Sequence, residues 1–267
     1  MHRKLALTSV LIMAFTLTAC GGSNIRRDGP GSGRIPDLPG DAVPRQEARS
    51  KYGNKSVYEV FGKYYTVLAS SSGYQERGVA SWYGNKFHGK LTSSREHYDM
   101  YAMTAAHKTL PLPTYVRVRN LRNNRTVIVR VNDRGPFVGN RIIDLSYAAA
   151  LKLDMVRNGT SLVEVTAISF EDPQSGDRPT RVVSAVAPQE ARLFMQVGAF
   201  SERSNAARRL AALSRNGVQN AFIYEDKSSD PVLYRVRIGP VADVVQYDVL
   251  VEELENLGIT DPYLISE

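Results

Sequence analysis

The sequence predicts a mainly β domain followed by a smaller α+β domain, and three observations point to this. Between residues 51 and 170, short runs of aromatic and β-branched residues alternate apolar with polar, and Gly, Asn, Asp and Ser turns part them. From 191 to 267 the pattern changes to strand, helix, strand, strand, helix, strand. Between the two lies a stretch holding Pro173, Gly176, Pro179 and Pro188, so 171–190 reads as a linker. At 267 residues the chain can build two cores, and 43% hydrophobic content fits a globular protein. The formal net charge of +7 favours anionic partners in general. No dense Lys/Arg run interleaves with aromatics, so nucleic acid is not an expected partner.

The chain opens like an exported protein. His2, Arg3 and Lys4 precede an apolar run over 5–17, which is too short for an ordinary transmembrane helix. That run ends Leu17-Thr18-Ala19-Cys20, which resembles the bacterial lipobox. The resemblance implies a lipoprotein signal peptide over 1–19, cleavage before Cys20, and acylation of Cys20. Several acyl chains give a stable membrane anchor where one would be marginal. Cys20 is the only cysteine, so no internal disulfide and no CxxC site can form. Cleavage removes Arg3 and Lys4 and no acid, which leaves +5. Gly21, rather than Asp, after the Cys favours the outer membrane, facing the periplasm. The rest of 20–50 is rich in Gly, Pro, Arg and Asp without apolar periodicity, and is predicted to be a disordered tether spanning on the order of 30 Å.

The elements of the domain at 51–170 follow in order. Residues 52–68 carry one or two strands (Val57, Tyr58, Val60, Tyr64, Tyr65, Val67) turning at Gly62-Lys63. Residues 78–83 form a strand. Its Trp82, the only Trp, either fills core or lines a sugar-binding face. Residues 87–101 show no period and are predicted as a long structured loop, the kind that carries function. Residues 114–121 and 126–131 alternate and are joined by the turn Arg122-Asn123-Asn124-Arg125. Asn132-Asp133-Arg134-Gly135-Pro136 breaks the second ladder and leaves Asp133 at a strand end. A short strand at 141–144, a helix at 147–153 capped by Ser146, and a last strand at 162–170 complete the domain. Such a set closes as a small barrel or a sandwich.

The motifs GVASWYG (78–84), FHG (87–89), Glu96 ahead of Tyr98-Asp99, MTAAHKTLP (103–111) and VRVNDRGPF (129–137) together resemble the rare lipoprotein A family over roughly 78–170. The resemblance implies a six-stranded double-psi β-barrel. It also implies lytic transglycosylase activity on peptidoglycan, cleaving MurNAc–GlcNAc bonds in glycan strands that lack stem peptides. Glu96, His107 and Asp133 match the family's functional trio. Arg95 departs from the pattern, since the family commonly has Gly there, and a side chain at this position bears on the loop that carries Glu96. The alternative is a non-catalytic, expansin-like barrel that grips glycan without cutting it.

Lytic cleavage needs a proton for the leaving oxygen, and then a base for the muramic 6-hydroxyl as it closes on the anomeric carbon. One carboxyl group can do both in turn. Asp133 is assigned that role, with Glu96 as the second carboxylate that tunes it or steadies an oxocarbenium-like transition state. The reverse assignment stays open, because sequence sets no distances. His107 is expected to position a carboxylate or a substrate hydroxyl. Asp144 reads as a turn or helix-entry residue. His88, His97 and His107 lack the i, i+4 spacing of a helical zinc pair and no cysteine accompanies them, so neither metal nor any other cofactor is expected.

The final unit, 191–267, begins with a strand at 193–200. A helix at 205–216 follows, capped by Ser201 and stopped by Gly217, with Ala206, Leu210 and Leu213 on one face. Strands at 221–225 and 233–239, a helix at 246–257 and a strand at 262–265 give a ferredoxin-like βαββαβ order. MQVGAF and YRVRIGP resemble the SPOR domain, which implies binding of denuded glycan and enrichment at the division septum. Gln196 and Arg235 fall at positions implicated in glycan binding, and Arg237 shares a strand face with Arg235 by period two. Divisome or amidase proteins are expected beside glycan and membrane as partners.

Overall fold

A computed structural model of the chain describes residues 29, 37–170, 192–259 and 262–266. The expected signal peptide, Cys20 and the expected 171–190 linker lie outside those residues. Strands β1 (Val57–Val60) and β2 (Lys63–Thr66) form a hairpin in which Phe61 and Gly62 both take positive φ. This is the turn that Gly62 signals in the sequence.

Six strands close the barrel: β3 (Gln75–Tyr83), β4 (Thr104–His107), β5 (Thr114–Asn120), β6 (Thr126–Asp133), β7 (Arg141–Ser146) and β8 (Thr160–Ala167), in the order β3-β7-β4-β6-β5-β8. β3 runs parallel to β7, and β4 parallel to β6; the other pairs are antiparallel. Val116, Val118, Val127, Val129, Val131, Ile143, Leu145, Val163 and Val165 fill the interior, so period-two alternation is what fits each strand to the barrel wall. β4 is a strand the sequence does not announce. Its centre is Ala105-Ala106, which carries little β propensity, and it is held by partners on both sides rather than by its own preference. α1 (Tyr147–Lys152) follows β7. Ser146 Oγ accepts from the Ala149 N–H at 3.2 Å, and Ala148, Ala149 and Ala150 are buried.

The second unit has β9 (Leu193–Phe200), α2 (Arg203–Arg215), β10 (Ala221–Asp226), β11 (Leu233–Ile238), α3 (Val244–Asn256) and β12 (Tyr263–Ser266). Its sheet is antiparallel in the order β10-β11-β9-β12. Met195, Val197, Val236 and Ile238 pack with Leu213, Leu250 and Leu254 of the helices. Glu202, not Ser201, occupies the N-cap of α2, and its side chain makes no capping bond. α3 starts earlier than the apolar period suggests, because Asp243 caps it by accepting from Gln246 N–H at 2.9 Å.

One expectation needs correction. The sequence assigns 20–50 to a disordered tether, but of its described residues 37–50 run as a strap along the barrel, and the Gly29 carbonyl accepts from Asn85 N–H at 2.9 Å. Ala42 N–H donates to the Ile128 carbonyl at 3.0 Å, and Ile128 N–H returns a bond to Asp41 at 3.1 Å. Ser50 N–H reaches the Leu112 carbonyl at 2.8 Å, and Asp41 pairs with Lys152 at 2.7 Å. The polar composition that reads as disorder is satisfied by partners far away in sequence.

Candidate active site

Glu96 sits in a tight loop between β3 and β4. Leu91 bridges His97, Thr92 N–H donates to the Glu96 carbonyl at 2.8 Å, and Arg95 N–H donates to the Thr92 carbonyl at 2.9 Å. Arg95 takes φ 70° to make this turn, a conformation that suits glycine and strains an L side chain. Its guanidinium lies 5.6 Å from the Tyr52 ring, which offsets part of that strain. Arg95→Gly is therefore expected to raise stability by about 0.5–1 kcal/mol, read as a higher urea midpoint at unchanged m. The orientation of the Glu96 carboxylate should be unaffected, because other residues hold it.

Those residues are Arg130 and Asn132 of β6. Arg130 Nη1 donates to both Glu96 oxygens, at 3.0 and 2.8 Å, and Asn132 Nδ2 donates to Oε2 at 2.8 Å. Burial alone would push the Glu96 carboxyl up, but the bonds from Arg130, Asn132 and Ser94 outweigh it and hold it below the usual carboxylate range. Glu96 is an ionised carboxylate in a fixed orientation.

Asp133 ends β6. Its Oδ1 accepts three bonds, from Ser93 N–H and Ser93 Oγ at 2.7 Å each and from Arg134 N–H at 2.7 Å. Among the described residues no bond is made to Oδ2, so a proton carried by this carboxyl belongs on Oδ2. The loop that carries Glu96 and the strand end that carries Asp133 are thus tied through Ser93.

The structure adds Asp144, which the sequence marks only as a turn or helix-entry residue. Asp133 and Asp144 both pair with Ala106 of β4, one from β6 and one from β7. The two carboxylates therefore flank a small residue, with Cα atoms about 10 Å apart at two strand spacings. Ser81 of β3 donates to Asp144 Oδ1. A Cβ on Gly135 would stand 3.9 Å from Asp144 Oδ2 and 3.7 Å from the Ala106 methyl. The Tyr83 hydroxyl is fully buried, and that burial, with the nearby Tyr98, Asp133 and Asp144, pushes its pKa well up, so it stays protonated. The signal that could have exposed Asp144 was the cross-strand register, which local patterning does not carry.

His107 lies elsewhere. It is 2% exposed, and its Nδ1 accepts from the N–H groups of Thr109 and Leu110, at 3.1 and 3.0 Å. That leaves the proton on Nε2, which faces the Tyr74 hydroxyl at 2.8 Å. The ring makes no bond to Glu96 or Asp133; its backbone carbonyl accepts from Arg134. Burial, reinforced by Arg134 and Lys108, pulls its pKa down to about 3. Because the folded pKa is depressed, the neutral ring stabilises the fold fully above about pH 6.5, and this contribution is lost as pH falls towards 3. Stability at pH 5 should be about 2 kcal/mol below that at pH 7 by urea unfolding, and His107→Gln should flatten that slope.

Trp82, considered as a sugar-binding residue, packs on Tyr147 of α1 at a ring distance of 5.3 Å and against the barrel core. Its neighbour Ser81 faces Asp144, so Trp82 points to the other side of β3. The histidines also diverge: His88 Nδ1 accepts from Met100 N–H, and His97 Nδ1 meets the Gly89 carbonyl. Among the described residues no cluster of three His, Cys, Asp or Glu side chains is placed to hold a metal.

On the second unit, Gln196 of β9 and Arg237 of β11 are cross-strand partners, and Arg237 Nε donates to Gln196 Oε1 at 3.3 Å. Gln196 Nε2 also donates to the Tyr263 hydroxyl, and the Arg237 guanidinium lies 3.9 Å from the centre of the Tyr224 ring. Gln196 and Arg237 are buried beneath this arrangement. Arg235 is half-buried and pairs with Asp226 at 2.7 Å. Tyr224 and Tyr263 are exposed on this face; sequence reasoning missed them because they lie outside the SPOR-like motifs, on the strands that flank the two motif strands.

A family model described as lytic transglycolase matches residues 75–165, and one described as SPOR domain matches 190–266. The chain is 38% identical to a protein named endolytic peptidoglycan transglycosylase RlpA from Vibrio cholerae, over 95% of this chain and 94% of that one. It is 36% identical to the protein of the same name from Pseudomonas aeruginosa, over 87% and 81%. With that from Neisseria meningitidis it shares 56% identity over 128 residues, 48% of this chain and 53% of the other.

Proposed function

The chain belongs to the RlpA family of endolytic peptidoglycan transglycosylases, and on that premise we propose that Asp133 and Glu96 divide the work of cutting peptide-stripped glycan strands. Asp133 donates a proton from Oδ2 to the glycosidic oxygen as the C1–O bond breaks. Asp133 Oδ2, now ionised, then takes the proton of the muramic 6-hydroxyl, whose oxygen bonds to C1 and closes a 1,6-anhydro ring. No water is consumed, and Asp133 ends in the state in which it began. Glu96, clamped as a carboxylate, supplies fixed negative charge to the oxocarbenium-like transition state. His107, neutral and buried, supports the wall on which Arg134 rests. The observation that carries this division is the contrast between the two carboxyl groups: both Glu96 oxygens are occupied by cationic or amide donors, whereas Asp133 keeps Oδ2 open.

The second unit fits a glycan-binding role through Arg235, Tyr224 and Tyr263, with Gln196 and Arg237 bracing them from beneath. The lipobox at Cys20 fits anchoring in the outer membrane of the cell envelope, and the SPOR unit fits recruitment to glycan exposed at the division septum. The test is incubation of the protein with sacculi stripped of stem peptides by an amidase. Muropeptide-free chains with 1,6-anhydro ends, found by mass spectrometry, support the reading. Intact glycan that sediments with the protein contradicts cleavage and favours a protein that only grips glycan.

A further inference from the structure

We propose that Glu47, in the strap ahead of the barrel, is a positioning residue for Glu96 and acts through Arg130. The inference rests on the reading of Glu96 given above. Glu47 lies outside residues 75–165, the part of the chain that matches the barrel family model.

The geometry is a clamp with two jaws on one guanidinium. Arg130 Nε donates to Glu47 Oε1 at 3.0 Å and Nη2 to Glu47 Oε2 at 2.8 Å, a bidentate pair. The remaining nitrogen, Nη1, spans both oxygens of Glu96. A guanidinium is a rigid planar fork, so fixing two of its nitrogens fixes where the third points. Among the described residues, Arg130 without Glu47 keeps only Glu96 as a side-chain hydrogen-bond partner, which leaves Asn132 and Ser94 as the fixed donors to Glu96. Glu47 is in turn held by the barrel and by the strap: the Tyr115 hydroxyl of β5 donates to its Oε1 at 2.5 Å, and Arg45 Nε of the strap does so at 3.2 Å. Side-chain exposure is 20% for Glu47 and 19% for Arg130, so solvent screens this pair weakly.

Electrostatics gives the link a signature that a purely structural role lacks. The charged or titratable groups facing Glu47 are Arg130, Arg45 and Tyr115; Glu96 is faced by Arg130, with Asn132 and Ser94 as neutral donors. The bond from Arg130 pulls the Glu47 carboxyl down to about 2, so Glu47 stays ionised and shares the Arg130 charge with Glu96. Neutralising Glu47 leaves the whole of that charge to Glu96, whose pKa must then fall further.

The test uses the full chain in detergent. In Glu47→Gln, kcat on peptide-stripped glycan is expected to fall about tenfold with KM within about twofold, and the Glu96 carboxyl, followed by carbon NMR titration, to move down by about half a unit or more. Glu47→Asp keeps the charge and should hold the Glu96 titration near its wild-type position. A Glu96 titration unmoved in Glu47→Gln, with Glu96→Gln inactive, overturns the inference and leaves the reading of Glu96 standing. A Glu96→Gln variant as active as wild type removes that reading and this inference with it. If Glu47→Gln does not fold, Tyr115→Phe takes its place: it removes a single bond that holds Glu47 and should also lower kcat at unchanged KM, and wild-type kcat there counts against the proposal.

Discussion

Asp133→Asn is expected to lower kcat on peptide-stripped glycan by about 10²–10⁴-fold and to leave KM little changed. The substitution is close to isosteric. An amide oxygen in the Oδ1 position can still accept from Ser93 N–H, Ser93 Oγ and Arg134 N–H, so the strand end and the Ser93 tie to the Glu96 loop remain. What is lost is Oδ2, replaced by an NH₂ group that can neither give a proton to a leaving oxygen nor take one from the 6-hydroxyl. Counting 1,6-anhydro ends per unit time on amidase-treated sacculi gives kcat, and a urea melt checks that the fold is unchanged. Near-wild-type turnover in Asp133→Asn would shift the acid/base role to another group, and Asp144, across Ala106, would be the next to replace.

Arg134→Met is expected to cost about 3–5 kcal/mol of stability, the largest effect of any single change near the site. Arg134 is a half-buried hub between residues 53–54 and the barrel. Its Nε donates to the Gly53 carbonyl at 2.8 Å, Nη1 to the carbonyls of His107 and Leu110 at 3.1 and 2.5 Å, and Nη2 to Asn54 Oδ1 at 3.2 Å. Its guanidinium also lies 5.8 Å from the Tyr58 ring centre. Burial pulls its pKa down, but an arginine remains charged at any working pH. Methionine fills much of the same space and removes every donor, leaving several half-buried carbonyls without partners. Urea unfolding should show the loss as a lower midpoint. Arg134→Lys keeps the charge but not the fork and should fall between the two. A midpoint within about 0.5 kcal/mol of wild type in Arg134→Met would mean that solvent reaches those carbonyls.

The two variants separate roles that sit one residue apart: Asp133 should change rate without stability, and Arg134 chiefly stability. The Glu47–Arg130–Glu96 clamp adds a third kind of effect, a shifted titration. On the proposed roles, the strap over 37–50 and the following residues 53–54 belong to the site rather than forming a spacer in front of it.

Much of this protein is written in local sequence. Alternation in 114–121 and 126–131 marks β5 and β6, because a strand with one face inside a barrel must place an apolar side chain at every second position. Ser146 marks the start of α1, and the C-terminal order of strands and helices marks the second unit, because caps and periods act within a few residues. Asp133 at a strand end and Glu96 in an irregular loop were legible for the same reason. The tertiary structure alone decided what those residues meet. β4 exists because β6 and β7 flank Ala105-Ala106, not because that stretch favours a strand. The packing of α1 took Trp82, and His107 became a buried neutral ring against Tyr74. Asp144 came beside Asp133, across Ala106, through strand register, and Glu47 reached Arg130 across 83 positions of sequence. Contacts of this kind depend on which distant surfaces barrel closure brings together, and no periodicity within a segment encodes its partner.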